Sequence, residues 1–233
     1  MTVHTSSPDD TGKVQVTVHD GDRVIASHEG PSNRPFQFQV DSVKLWSPDA
    51  PNLYSLTVKV DQDQIESYTG FRTIGKGTVN GIVRPLLNGE FVFMFGTLDQ
   101  GYWPDGIYVP PTKEAMIYDL KLLKRLGFNS MRKHVRGSVE GPQSRWFLET
   151  NMMRIQIKIE PQLFYRACDE IGLLVIQDMP SLRPLQGVLP NAAQQVEFAR
   201  QLDLLVNQLK SFPSIATWVR RKKIGTYELT ASC

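Results

Sequence analysis

The sequence predicts two organisations in one chain, an all-β sandwich followed by a parallel α/β region. Three observations carry this. Apolar residues alternate with period two from Lys13 to Ile74, turn-forming clusters punctuate that stretch, and after Gly75 strand-like runs alternate with amphipathic helices.

In the first part Val14, Val16 and Val18 share one face, as do Phe36, Phe38 and Val40, and then Leu56, Val58 and Val60. Each set predicts a half-buried strand. The separators are turn chemistry: His19-Asp20-Gly21-Asp22, Gly30-Pro31-Ser32-Asn33 and Ser47-Pro48-Asp49-Ala50-Pro51-Asn52. Short strands at that spacing, with no helical segment between them, are the pattern of a sandwich.

The second part reads β-α-β-α-β-α-β. Phe91 to Phe95 is the first expected strand, and Thr112 caps a helix to Leu126 with an inward stripe of Met116, Leu120 and Leu123, closed by Gly127. Phe128 to Arg132 is the next strand. Pro161 opens a helix ending at Gly172, and Leu173 to Gln177 is a continuous apolar strand. Asn191 caps a long helix through Leu209, and Ser214 to Trp218 is the last expected strand. The connection rules make such a sheet parallel. Periodicity alone leaves open half of a closed barrel or a small doubly wound sheet. No G-x-G-x-x-G follows the first strand, which disfavours a nucleotide-binding enzyme.

Composition excludes several function classes. The 233 residues carry 26 Lys and Arg against 24 Asp and Glu, so a formal charge of +2 argues against nucleic-acid and anionic-membrane partners. The basic run Arg220-Arg221-Lys222-Lys223 has no interleaved aromatics. The two cysteines, Cys168 and Cys233, support neither a disulfide framework nor a Cys-based metal site. Met1 to Asp10 is polar and no apolar run reaches the roughly 18 residues of a spanning helix. No leader or membrane segment is therefore read, no compartment is assigned, and no cofactor or metal is expected.

Specific motifs add a family. Leu45-Trp46-Ser47-Pro48-Asp49-Ala50-Pro51-Asn52-Leu53-Tyr54 with Gly70-Phe71-Arg72 resembles the closing strands of the immunoglobulin-like domain in glycoside hydrolase family 2. Leu87-Asn88-Gly89, Leu98 to Gly106 (LDQGYWPDG), Gly127-Phe128-Asn129 with Arg132-Lys133-His134, and Gln177-Asp178-Met179-Pro180 resemble its barrel. That family includes β-galactosidases, β-glucuronidases and β-mannosidases. The resemblance implies an immunoglobulin-like β-sandwich over 1–74 followed, over 75–219, by the N-terminal half of a (β/α)8 barrel. It also implies a carbohydrate substrate and a retaining mechanism in which two carboxyls about 5–5.5 Å apart act as acid/base and nucleophile.

Neither catalytic Glu is found. The family pattern continues through Ser214 to Val219, where an Asn-Glu pair is due, and the chain reads Arg220-Arg221-Lys222-Lys223 instead. The chain is thus expected to be a catalytically incomplete fragment. A second departure is Val135 to Gln156, placed where the pattern runs from Arg132-Lys133-His134 straight into Ile157-Lys158-Ile159-Glu160-Pro161. We read 135–156 and the tail 220–233 as translated introns. Val135-Arg136 is encodable as GTA-AGR, Thr150-Asn151 as ACT-AAC and Gln156 as CAG, in the order donor, branch site, acceptor. Val219-Arg220 and Leu229-Thr230 repeat the donor and branch signals. An ordinary insertion in a βα loop is the alternative for 135–156.

The candidate substrate-binding residues are Arg132, His134, Asp178, Asp99, Gln100 and Trp103, with no catalytic residue assigned. Arg132 ends the second barrel strand, at the rim where barrel sites lie. The resemblance gives it the support of a nucleophile carboxylate, against the plain alternative of a surface ion pair. His134 shares its face, as a sugar-hydroxyl contact or a solvated loop histidine. Asp178 ends the third strand, as an acceptor from sugar hydroxyls or a cap. Asp99, Gln100, Tyr102, Trp103 and Asp105 crowd the loop after the first strand, where rings beside amides suit a pyranose face or simply pack on the sandwich. Trp218 is expected inside the barrel. Glu160 and Glu170 are expected to be solvated residues of the helix opened by Pro161. The competing function is a non-catalytic carbohydrate-binding or scaffold protein built from the same modules.

Overall fold

The computed structural model describes residues 1–5, 12–134, 158–179, 190–223 and 226–231. They divide into two compact units, Met1–Arg72 and Thr73–Cys233.

The first unit holds a four-stranded antiparallel sheet of order β2-β1-β3-β4, formed by β1 (Lys13–Asp20), β2 (Arg23–Pro31), β3 (Tyr54–Val60) and β4 (Asp63–Thr69). Val16 faces Val58 and Val18 faces Leu56 across β1 and β3. The buried cluster is Val14, Val16, Val18, Phe36, Tyr54, Leu56 and Val58. The period-two reading therefore located this core. It also placed a strand at Phe36 to Val40, and the structure has none there. Phe36 is buried, and Phe38 and Val40 pack on the same cluster. Their apolar alternation marks burial without a ladder partner. The backbone N–H of Phe36 instead donates to the Met1 carbonyl at 2.9 Å, and the Phe36 and Phe38 rings both stack on His28. Gly30 is required beside them, since a Cβ at that point would lie 2.6 Å from the Phe36 ring.

The second unit opens with a three-stranded antiparallel sheet that sequence reasoning missed: β5 (Ile74–Val79), β6 (Ile82–Leu87) and β7 (Glu90–Phe91). Its two turns are Asn80-Gly81 and Asn88-Gly89, and all four residues have positive φ. Asn-Gly between short runs is the strongest local hairpin signal. Because β7 takes Glu90 and Phe91, the expected strand at 91–95 is displaced to β8 (Gly96–Asp99), leaving Phe93 and Phe95 exposed.

From β8 the order alternates as expected: α1 (Lys113–Arg125), β9 (Ser130–Lys133), α2 (Gln162–Ile171), β10 (Leu174–Asp178), α3 (Ala192–Leu209) and β11 (Ile215–Lys223). The helix ends follow from local chemistry. Thr112 Oγ1 accepts from the Ala115 N–H at 3.1 Å. Gly127 sits at φ 90°, and the N–H groups of Gly127 and Phe128 donate to the carbonyls of Lys124 and Leu123, closing the helix with a left-handed glycine. Asn191 and Gln194 exchange side-chain to backbone bonds at the start of α3.

The large sheet has the order β12-β11-β10-β9-β8. Strands β8 to β11 are mutually parallel and sequential, with Leu98 beside Arg132 beside Ile176. This order never reverses, so the sheet lacks the switch point of a doubly wound fold. Gly96 permits the first pairing, since a Cβ there would lie 2.7 Å from the Ser130 carbonyl oxygen. The residues 220–233, taken from the sequence as a non-native tail, include two structured stretches. Arg220 to Lys223 continue β11, and β12 (Thr226–Ala231) pairs with it antiparallel, Val219 facing Leu229. Residues 135–156, read as a translated intron, lie outside the described residues.

Candidate functional site

Alternation along β9 sends Arg132 and His134 to one face of the sheet and Met131 and Lys133 to the other. The second face is covered: Lys133 has 1% of its side chain exposed and its Nζ stands 4.9 Å over the ring of Phe164, on α2. The first face carries one cluster of the expected residues and the second face carries another.

On the first face Asp178, at the carboxyl end of β10, receives Arg132 as a two-pronged fork. Nε donates to Oδ1 and Nη2 to Oδ2, both at 2.8 Å. His134 Nδ1 is hydrogen-bonded to the same Oδ2. The Asp178 side chain is 2% exposed, Arg132 37% and His134 14%. Both carboxylate oxygens therefore accept from protein donors.

On the second face Asp99 accepts from the Gly101 N–H at 2.7 Å through Oδ1 and from Lys133 Nζ at 2.8 Å through Oδ2. Lys133 Nζ is also 2.7 Å from Glu160 Oε1, and Lys158 Nζ is 3.0 Å from that same oxygen while donating to the Gly101 carbonyl at 3.1 Å. Two buried cations and two carboxylates thus compensate one another, the condition for placing charges out of water. Asp99, Lys133 and Glu160 line a cleft of about 560 Å³ together with Gln100, Tyr102, Trp103, Asp119 and the α1 residues Met116 and Leu120. Tyr102 meets Tyr108 edge-on at 5.5 Å, and the backbone N–H of Trp103 donates to the Ile107 carbonyl. Burial, and then the charge of Asp99, raise the Asp119 carboxyl above its ordinary range. Burial likewise raises the Tyr108 hydroxyl.

The six expected residues therefore fall into two groups. Arg132, His134 and Asp178 meet one another, whereas Asp99, Gln100 and Trp103 line the cleft on the covered face. The expectation for Glu160 is corrected. It is 4% exposed and paired with two lysines, because Pro161 holds the residue before it out of the helical region, so Glu160 stands ahead of α2. Glu170 is a solvated helix residue, ion-paired to Arg166 at 2.8 Å. Trp218 is buried, in register with Gln177. Sequence reasoning missed Lys133, Lys158 and Glu160. The available signal was alternation along β9, which turns Lys133 to the face opposite Arg132 and His134; Lys158 and Glu160 stand ahead of α2, outside any strand, and carry no such signal. Gln177 and Tyr165 complete the support. Tyr165 Oη donates to Gln177 Oε1 at 2.7 Å, and burial pushes the Tyr165 hydroxyl well up. Among the described residues no group of three or more His, Cys, Asp or Glu is placed to hold a metal ion, and no helix is long and apolar enough to cross a membrane.

Comparison with known proteins accords with the motifs. The family model described as glycosyl hydrolases family 2 matches residues 1–72. A putative beta-glucuronidase of Formosa agariphila is 30% identical over 166 residues, 67% of this chain and 13% of the relative. A beta-galactosidase of Erwinia tasmaniensis is 23% identical over 230 residues, 88% of this chain and 20% of the relative. The crystal structure of a Parabacteroides merdae beta-glucuronidase superposes with a TM-score of 0.61 at 22% identity, covering 89% of this chain and 24% of that one. The chain thus spans a minor part of the length of the proteins it matches, and it belongs to glycoside hydrolase family 2.

Proposed function

We propose that this chain carries the immunoglobulin-like module and the first four barrel strands of a retaining family 2 glycosidase acting on O-glycosyl bonds, and that it contributes saccharide contacts without the catalytic pair. The observation that carries this is the Arg132–Asp178–His134 cluster at the carboxyl ends of two adjacent parallel strands. Barrel active sites are built there. The unreversed strand order supports the barrel reading.

Hydrolysis by this route needs an acid/base and a nucleophile facing each other. Glu160 is committed to Lys133 and Lys158, and Glu170 to Arg166. Asp178 is held by Arg132 and His134, so its role is to orient. The chain by itself is accordingly not hydrolytic. Calorimetric titration of the full chain with methyl β-D-glucuronide, β-D-galactoside and β-D-mannoside tests the reading. Saturable binding to one of them, abolished in Arg132→Met, is expected; binding to none would overturn it, as would inhibitor-sensitive turnover of a nitrophenyl glycoside. Alignment of genomic DNA with transcripts tests the intron origin of 135–156 and 220–233, which a mature message retaining both would refute.

A second reading, a non-catalytic carbohydrate-binding or scaffold protein, is favoured by β12. Its antiparallel pairing occupies the edge of β11, where a barrel would add a fifth parallel strand. Sugar binding by a monomeric chain would support it.

A further inference from the structure

The loop from Asp99 to Trp103 rests on charges that the motifs did not single out. Its turn residue Gly101 has φ 71°, and both backbone groups of Gly101 are held, the N–H by Asp99 at 2.7 Å and the carbonyl by Lys158 at 3.1 Å. Asp99 is tied to Lys133, and Lys133 to Glu160, which binds Lys158 in turn. The ring of contacts closes on itself: Gly101, Asp99, Lys133, Glu160, Lys158, Gly101. A Cβ on Gly101 would lie 2.7 Å from Lys158 Cδ and 2.9 Å from Glu160 Oε1, so the loop sits directly on the ion pairs.

We infer that Lys133, Lys158 and Glu160 are positioning residues whose closed ionic ring clamps the Asp99–Trp103 loop and so sets how Gln100 and Trp103 meet a saccharide, which rests on the functional reading above. Charge pairs in a low-dielectric site are rigid because every alternative geometry leaves a buried charge uncompensated. The clamp also fastens two distant stretches of the chain, β8 with its loop and the segment ahead of α2. Removing the charge at Lys133 releases both oxygens it holds and opens the ring at its centre.

The test uses the full chain labelled with 5-fluorotryptophan, with the Trp103 fluorine resonance assigned through Trp103→Phe. Lys133→Met is expected to shift or broaden the Trp103 line while the Trp46 line, from the first unit, stays in place. Gly101→Ala, which presses on the clamp from the loop side, is expected to move the same line. Glu160→Gln keeps the shape, removes the charge, and serves if either variant fails to fold. A folded variant of this set with an unmoved Trp103 line overturns the clamp. Addition of methyl β-D-glucuronide, β-D-galactoside and β-D-mannoside in turn is expected to shift Trp103 with at least one of them in the parent, and with none in Lys133→Met. A parent without saccharide response defeats the functional reading and leaves the clamp to be judged on the ligand-free spectra.

Discussion

Replacing Asp178 by Asn while separately replacing Arg132 by Gln measures what holds the strand-end cluster together. Asp178 is 2% exposed and takes two charge-assisted bonds of 2.8 Å from Arg132. Removing one partner of a fully buried pair costs about 3–5 kcal/mol, because the other charge is stranded. Arg132 is 37% exposed, so when Asp178 loses its charge the guanidinium turns to water, and solvent screening cuts the figure for Asp178→Asn to about 2 kcal/mol. Arg132→Gln strands the buried carboxylate with His134, so its cost stays near 3 kcal/mol. The double variant removes both ends of the same contact. Its cost should fall short of the sum by about 1–2 kcal/mol, within the coupling range of residues in contact. For a unit the size of Thr73–Cys233, each kcal/mol lowers the melting temperature by roughly 2–4 °C, so Asp178→Asn should lose about 4–8 °C. Urea unfolding followed by circular dichroism gives the four free energies. Additivity within about 0.5 kcal/mol would refute the cluster as a coupled unit.

Tyr165→Phe should destabilise by about 1–3 kcal/mol in urea, since Gln177 Oε1 and the Glu160 N–H both lose the Tyr165 hydroxyl in a buried setting; a cost below about 0.5 kcal/mol would show that water takes its place. Gly30→Ala should cost about 1–3 kcal/mol in the first unit by forcing Phe36 off its seat, read from a Met1–Arg72 unfolding signal such as Trp46 fluorescence. The Asp119 carboxyl should titrate above a free aspartate in carbon-detected NMR, and Asp99→Asn should lower its midpoint only in part, because burial is the larger cause and the Asp99 charge the smaller. Its sign is fixed: folding favours the neutral acid, so any stability it adds is present at low pH and lost as pH rises through the raised midpoint. In a Cys233→Ser background, Cys168 should resist aromatic disulfide reagents until the chain unfolds, because burial pushes its thiol far up and screens it.

How much was legible in the sequence depends on which physical signal each element carries. Helix termini were read closely because they are local: Thr112, Gly127 and Asn191 do in the structure what those residue types do anywhere. Core faces were read well for the same reason, Val14, Val16 and Val18 being buried as their alternation implies. Pairing was not legible. Phe36 to Val40 has the strand period and no strand partner, since alternation reports a buried face and says nothing of a neighbour's hydrogen-bonding edge. The strand expected at Phe91 to Phe95 moved to Gly96 to Asp99 because the Asn88-Gly89 turn commits Glu90 and Phe91 to β6, a decision made by two turn residues outside the apolar run.

The candidate site shows the same division at finer scale. Arg132, Lys133 and His134 are consecutive, and the family motif treats them as one string, but a strand assigns alternate residues to opposite faces. Arg132 and His134 converge on Asp178, while Lys133 turns to Asp99 and Glu160. Two sites thus draw on three consecutive residues, Arg132 and Lys133 of β9 and His134 after it, and the backbone bond from the His134 N–H to the Asp99 carbonyl at 3.0 Å joins them. A loosened clamp would move Asp99, and through that bond the end of the strand that carries His134. Lys133→Met should therefore lower the coupling between Arg132 and Asp178 as well as shifting Trp103. If the four-variant cycle returned the same coupling in a folded Lys133→Met background, the faces would be mechanically independent and the rim would owe nothing to the charges beneath it.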